Sequence, residues 1–257
     1  MNHPHHPPQQ YAPAARPAWL RSPVGLSRAV MALLGVVIAA DLYSLWAGTV
    51  MRNVMADLLA GEFGAGVARD AEHADTLYAV SGFLQTGALI ATCAVFLVWF
   101  HRVRVNAEVF EPHIHRKTRG WTVGSWFVPV LNFWFPRRIA VDIWDASGDR
   151  SVALDRTTLD PSAGGAPHRL VNAWWTLWVA NLLAGRWSTQ SYWRAEEPDE
   201  IKAAVGNLMF SDALDIAAAV LAILFVHRLT GMQDRKARSG PPRPQPLPVV
   251  PGPLAAP

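Results

Sequence analysis

Four long stretches of the chain carry almost no charge: Ala29 to Val50, Leu77 to Phe100, Leu170 to Gly185 and Leu208 to Val226. Apolar runs of this length predict helices that cross a bilayer, at about 28–50, 77–100, 170–192 and 207–229. A fifth apolar stretch, Trp121 to Phe135, holds 15 residues. As a helix it would reach only roughly 22 Å, against roughly 30 Å of hydrocarbon. Pro129 removes a backbone donor at its middle and Pro136 restarts the helix, so the pattern predicts a re-entrant or in-plane segment over 121–147, with Asn132 between the two prolines. After Pro136, Ile139, Ala140, Ile143 and Trp144 share one helical face and Arg138, Asp142 and Asp145 point elsewhere, which reads as an amphipathic helix on the inner membrane surface. The alternative is a single kinked span over 121–145, which would carry Asp142 and Asp145 into lipid.

The fold class expected from this pattern is an all-α polytopic membrane bundle: four transmembrane helices plus the re-entrant or in-plane segment. Residues 1–23 and 237–257 are rich in proline, which blocks helix and sheet, and are expected to be disordered tails around a membrane domain at 24–236. Residues 149–168 are polar and rich in turn formers, so they read as a loop. The first apolar run lies too far into the chain, behind a leader without a compact basic region, to suit a secretory signal.

Charge adds an orientation. Arg16, Arg21 and Arg28 precede the first span, and Arg102, Arg104, Arg116, Lys117 and Arg119 follow the second. The segment 51–76 carries five acids against two basic residues, and 186–206 is also acidic. Basic residues stay on the cytoplasmic side, so both termini are expected there, in a multi-pass protein of a cell membrane, of the bacterial inner-membrane type. The basic strip is expected to hold the topology and to meet anionic lipid headgroups, with a protein partner at the cytoplasmic face as a second reading. Nothing suggests a nucleic-acid partner, and the oligomeric state is left open.

Composition agrees: 51% of the chain is hydrophobic and 17% charged, too few charges for an ordinary soluble domain of this size. Its 12 tryptophans suit a membrane interface, and Trp46, Trp99, Trp174 and Trp193 fall near span ends. Cys93 is the single cysteine, which excludes an internal disulfide. His3, His5 and His6 lie in a tail and His113-x-His115 lacks a third ligand, so no metal site and no cofactor are expected.

The runs FLVWFHRVRVNAE (Phe96 to Glu108) and GWTVGSWFVPVLNFWFPRRIAVDIWDAS (Gly120 to Ser147), followed by Trp174-Trp175, resemble a bacterial membrane family known as domain of unknown function 4328. The resemblance covers roughly residues 25 to 236. It implies a multi-spanning membrane protein and transfers no catalytic residue.

Candidate chemistry lies inside the spans. Asp41 sits in the first, and Asp212 and Asp215 lie three apart, hence on one face, in the fourth. A carboxylate in hydrocarbon is costly and by default marks a functional site, although a hydrogen-bonded aspartate can also simply clasp two helices. Counting inward, Asp41 and Asp215 lie at similar depth, roughly 12 to 14 Å below the outer surface. Gln85 and Asn181 fall near the same level, so Asp41, Gln85, Asn181 and Asp215 are expected to converge, with Arg186 as a counter-ion. The endings Trp99 to Arg102 (WFHR) and Phe225 to Arg228 (FVHR) also hint that the two helical hairpins are repeats.

No nucleophile elbow, zinc-protease signature, P-loop or dinucleotide fingerprint is present, and no enzyme is expected. The sequence ranks a noncatalytic scaffold or regulatory membrane protein first, a small transporter or proton-coupled channel second and an intramembrane enzyme third. A scaffold requires a dry, packed bundle, and a transporter requires a wet path past the aspartates.

Overall fold

The structure, a computed structural model, describes residues 20–148 and 168–239. The elements are α1 (Val24–Leu59), α2 (Ala65–Phe110), α3 (Trp121–Gly124), α4 (Phe135–Ser147), α5 (Arg169–Tyr192) and α6 (Pro198–Ser239), with a short 3-10 turn at Leu131–Phe133. There is no strand among the described residues. Most of the expected tails and most of the expected loop 149–168 lie outside the described residues. Two edges differ from expectation: α6 continues to Ser239, and Arg21 and Ser22 are tied to α2. Asn106 accepts from the Arg21 N–H at 3.1 Å and donates to its carbonyl at 2.8 Å, and Arg102 donates to the Ser22 carbonyl at 3.4 Å.

Helices α1, α2 and α6 are long and apolar enough to cross a membrane. Their outward faces carry large apolar side chains, Phe83 at 82% exposure and Ile90 at 65% among them, which water would not tolerate over such an area. Both features are compatible with a multi-pass membrane protein. Helix α5 has 24 residues, about 36 Å, so it is long enough. Asn172, Asn181, Arg186 and Gln190 dilute its apolar run, and it falls short of the hydropathy that the other three reach.

The helices overrun the expected spans. At 36, 46 and 42 residues, α1, α2 and α6 measure about 54, 69 and 63 Å, well beyond a hydrocarbon core. The segment 51–76 is mostly helix because Met51, Val54, Met55 and Leu58 recur on one face of α1 and pack against Ala71, Ala74 and Tyr78 of α2 and Ile201, Val205 and Met209 of α6. Gly61 at φ 82° and Gly64 at φ 154° make the reversal that other residues would resist. Asp199 and Glu200, in the first turn of α6, suit the positive end of its dipole.

Side by side the helices run α2, α1, α6, α5, with α1 packed along both α2 and α6, and α5 along α6. Antiparallel hairpins put both turns at one end of the bundle, the hairpin end, and the start of α1 with the finish of α6 at the other, the tail end. At Gly48 an added Cβ would stand 3.0 Å from Met209 Cγ, so the missing side chain lets α1 and α6 approach. The two hairpins are not arranged as equivalent repeats: α1 packs along α6, whereas α2 and α5 lack a matching helix–helix seam.

Segment 121–147 is not one kinked helix. It is a single turn of α3, the 3-10 turn and then the 13-residue α4, which starts with Pro136 in its first turn. Pro129 and Val130 form the break, and Val130 takes φ 70°, a conformation that costs a β-branched residue about 1–3 kcal/mol. The apolar face of α4 is spent on protein: Ile139, Ala140 and Ile143 are buried against α2, α5 and α6. Even Asp142 is only 6% exposed and accepts from the Arg116 N–H at 3.2 Å.

The main apolar core lies at the tail end, built from Trp99, Phe100, Trp144, Trp174, Trp175 and Phe225 with their aliphatic neighbours. Phe225 stacks on Trp174 with centroids 4.5 Å apart and meets Trp99 edge-on at 5.9 Å. Two indole N–H groups find partners, Trp99 on Thr230 at 3.1 Å and Trp175 on the Phe133 carbonyl at 3.0 Å, whereas the buried N–H of Trp126 has none. Trp99 and Trp174 therefore belong to the core and not to an interfacial belt, while Trp46 and Trp193 remain exposed.

Candidate functional site

Between the tail-end core and the smaller hairpin-end cluster lies a polar layer. Gln85, on α2, donates from Nε2 to Asp41 Oδ1 on α1 and to Asp212 Oδ1 on α6, both at 2.9 Å. Asn181, on α5, donates to Asp215 Oδ1 at 2.7 Å and accepts from the Ser211 hydroxyl at 3.3 Å. The Asp41 and Asp215 carboxyls lie within interaction range of one another, and the Ser44 hydroxyl bonds Asp212. All five polar residues expected inside the spans thus meet, drawn from four helices. Ser44 and Ser211 join them, and the first could have been found in the sequence because it follows Asp41 by three residues, one helical turn.

Burial is uneven across the layer. Asp41 is 1% exposed, and its Oδ2 has no hydrogen-bond partner. Asp212 and Asp215 instead line an open groove of about 720 Å³ between α5 and α6. Asn181, Ser211, Asp212 and Asp215 form its deep end, and Arg186 stands partway along. Trp193 and Arg194 flank it at the hairpin end. Arg186 lines the same groove as the acids, yet it forms no ion pair among the described residues.

The expected basic strip does not act as one unit. Arg104 is 2% exposed, pairs with Glu108 at 2.6 Å and donates to the Lys117 carbonyl at 2.7 Å, so it fixes the chain after α2 and faces no headgroup. Arg119 also pairs with Glu108, and Lys117 sits 4.4 Å over the Phe135 ring. Arg116 is exposed and stands 4.0 Å from Asp142. Pro129 leads the strained turn, Asn132 keeps a buried, unpartnered Oδ1, and Pro136 is buried at the start of α4.

Two groups beside Arg104 titrate away from their ordinary values. Burial opposes charge on Glu108, but its bond to Arg119 and the Arg104 and Arg119 charges outweigh that and hold it below 4.5. Burial, aided by the Arg104 charge, holds the His115 imidazole below 6.5, although Glu108 and Asp142 pull the other way. Each depressed value contributes stability above the unfolded pKa that is lost as pH falls. Of these two groups only His115 crosses its range between pH 7.5 and 5.5, so lowering the pH over that interval is expected to cost wild type more melting temperature in detergent than it costs His115→Gln. Equal slopes in the two proteins would show that His115 is not held neutral.

Known proteins resolve the family. The family model described as "Domain of unknown function (DUF4328)" matches residues 65–231, more than half of the chain. The chain belongs to this family. The DUF4328 match includes Gln85, Asn181, Arg186, Asp212 and Asp215 and begins at the first residue of α2, so α1 with Asp41 and Ser44 lies outside it. No curated protein and no solved structure matches the chain. Among the described residues no group of histidine, cysteine, aspartate and glutamate is placed to hold a metal ion.

Proposed function

We propose that this DUF4328 protein is a noncatalytic transporter of small solutes whose carboxyl layer takes up and releases a proton. The observation that carries the reading is the groove between α5 and α6, which runs from Trp193 and Arg194 at the hairpin end to Asp212 and Asp215. Water can therefore reach two acids that hydrogen bonds tie to a third, dry one. Like charges at close range, with hydrocarbon around them, oppose holding all three carboxyls as anions, so the layer stores a proton that the groove can exchange. A scaffold or regulatory role, the reading favoured by the sequence, needs a dry bundle and gives the groove no task.

The topology proposed with it has α5 as a fourth span. The exposed apolar turn Phe127, Val128, Val130 and Trp134 is embedded in the membrane beside the spans. By the distribution of basic residues both chain ends face the cytoplasm of a bacterial cell, which makes the groove open outward. Arg102 and Arg116 are the residues of the strip left to meet anionic headgroups.

Liposomes holding the full chain, with a pH-sensitive dye inside and an imposed pH gradient, provide the test. The outer bath contains mixed amino acids, alkylammonium salts and short-chain carboxylates. Wild type is expected to dissipate the gradient at least about tenfold faster than empty liposomes, and Asp41→Asn and Asp215→Asn to return it to the empty rate. Wild-type liposomes that leak no faster than empty ones would end the transporter reading.

A further inference from the structure

The groove holds opposite charges that do not neutralise each other. Asn181 on Asp215, Gly185 against Ser211 and the Ser188 hydroxyl on the Asn207 carbonyl at 3.0 Å fix the antiparallel register of α5 and α6. In that register Arg186 lies nearer the hairpin end than the acids, by about 3 Å from Asp212 and about 7 Å from Asp215 along the axis. Neither carboxyl comes within 4.0 Å of it, although all three residues line one cavity. Asp212 and Asp215 each have Oδ1 held by an amide, that of Gln85 or Asn181, while both carboxyls line the groove. Asp41 Oδ2, buried behind them without a donor, is a further acceptor with nothing to accept from.

We infer that the groove binds a small zwitterion of the amino-acid type, its ammonium group at Asp212 and Asp215 and its carboxylate on Arg186. This rests on reading the groove as the solute path and adds to it the chemical class of solute. A simple cation at the acids would share the groove with Arg186 and Arg194. A simple anion held by Arg186 would face Asp212 one helical step away. A molecule carrying both charges a few ångströms apart satisfies both ends at once, and a guanidinium recognises a carboxylate in a two-pronged geometry that an ammonium cannot copy. Thr189 and Gln190 supply neutral polar wall between the two ends, and the volume lies within the range of small-molecule pockets.

Direct binding to the purified full chain tests this apart from transport. L-alanine and glycylglycine serve as zwitterions, ethylammonium as the matched cation and propionate as the matched anion, read by calorimetry and by the fluorescence of the tryptophans. A zwitterion is expected to bind at least about tenfold more tightly than either single-charge probe. Arg186→Ala is expected to lose that preference, Arg186→Lys to keep part of it and Asp212→Asn to weaken the ammonium end, each in protein that stays monodisperse. Propionate or ethylammonium binding as well as the zwitterions, no binding by any probe, or an unchanged preference in Arg186→Ala would overturn the assignment. Gradient dissipation by wild type together with any of these results would leave the transporter standing and remove only its solute class. Zwitterion binding without dissipation would do the reverse.

Discussion

Replacing Gln85 by leucine is expected to destabilise the bundle by about 2–4 kcal/mol, because it removes two hydrogen bonds to carboxyls that differ in their access to water. Asp212 borders the groove, so a water can take the place of the lost amide. Asp41 is 1% exposed and already has one oxygen without a partner, so nothing replaces its only donor. Most of the cost therefore falls on Asp41. Interhelical hydrogen bonds in membranes average well below 1 kcal/mol when the unfolded chain finds other partners, and a value that low here would mean that the layer re-pairs. Removing both partners tells the two apart. Gln85→Leu combined with Asp41→Leu leaves no stranded carboxyl and is expected to recover at least about 1 kcal/mol of the loss, since paired apolar replacements are often nearly neutral. The quantity to measure is the unfolding free energy in mixed micelles for both single variants and the double variant. Strictly additive effects would show that Gln85 and Asp41 are not coupled as the geometry says.

The second large effect is expected at Phe225. Its ring is fully buried, stacked on Trp174 and Trp144 and edge-on to Trp99, and it joins α6 to α2, α4 and α5. In a membrane the transfer of the ring out of lipid contributes little, because lipid tails are as apolar as the core. What remains is the cavity and the lost ring contacts, each ring pair worth about 0.5–1.5 kcal/mol. Phe225→Ala is therefore expected to cost about 3 kcal/mol, the low end of large-to-small losses in cores. Phe83→Ala, at an equally large ring that faces outward at 82% exposure, is the control and is expected to cost under about 0.5 kcal/mol. Comparable losses at the two positions would mean that Phe225 is not held in the packed aromatic core described here.

Several features were legible before any coordinates. Charge-poor runs, read with the thickness of hydrocarbon, located the four long helices, and the separation of Pro129 from Pro136 marked a break that α3, the 3-10 turn and α4 reproduce. That Asp41 and Asp215 come to one level of the bundle was visible too, because rise per residue is constant along a helix.

Other features depended on which residues face one another. The helices extend past the expected spans because Met51 and Met55 of α1 meet Val205 and Met209 of α6, which periodicity on any one helix only hints at. Arg104 reads as a surface cation by sequence, yet Glu108 and the Lys117 carbonyl allow its burial. The amphipathic face of α4 suited a membrane surface equally well by pattern, and the packing of Ile139 and Ile143 against α2, α5 and α6 decided against it.

The amino-acid order by itself determined that these segments are long, apolar helices and at which level along them each polar group lies, since both follow from local composition and fixed helical rise. Only the tertiary structure decided that Gln85 bridges Asp41 and Asp212, that Arg186 shares a groove with the acids without touching them, and that aromatic rings from four helices pack into one core. Those depend on rotation about helix axes and on which helices are neighbours, and such angles are set by packing against other parts of the chain.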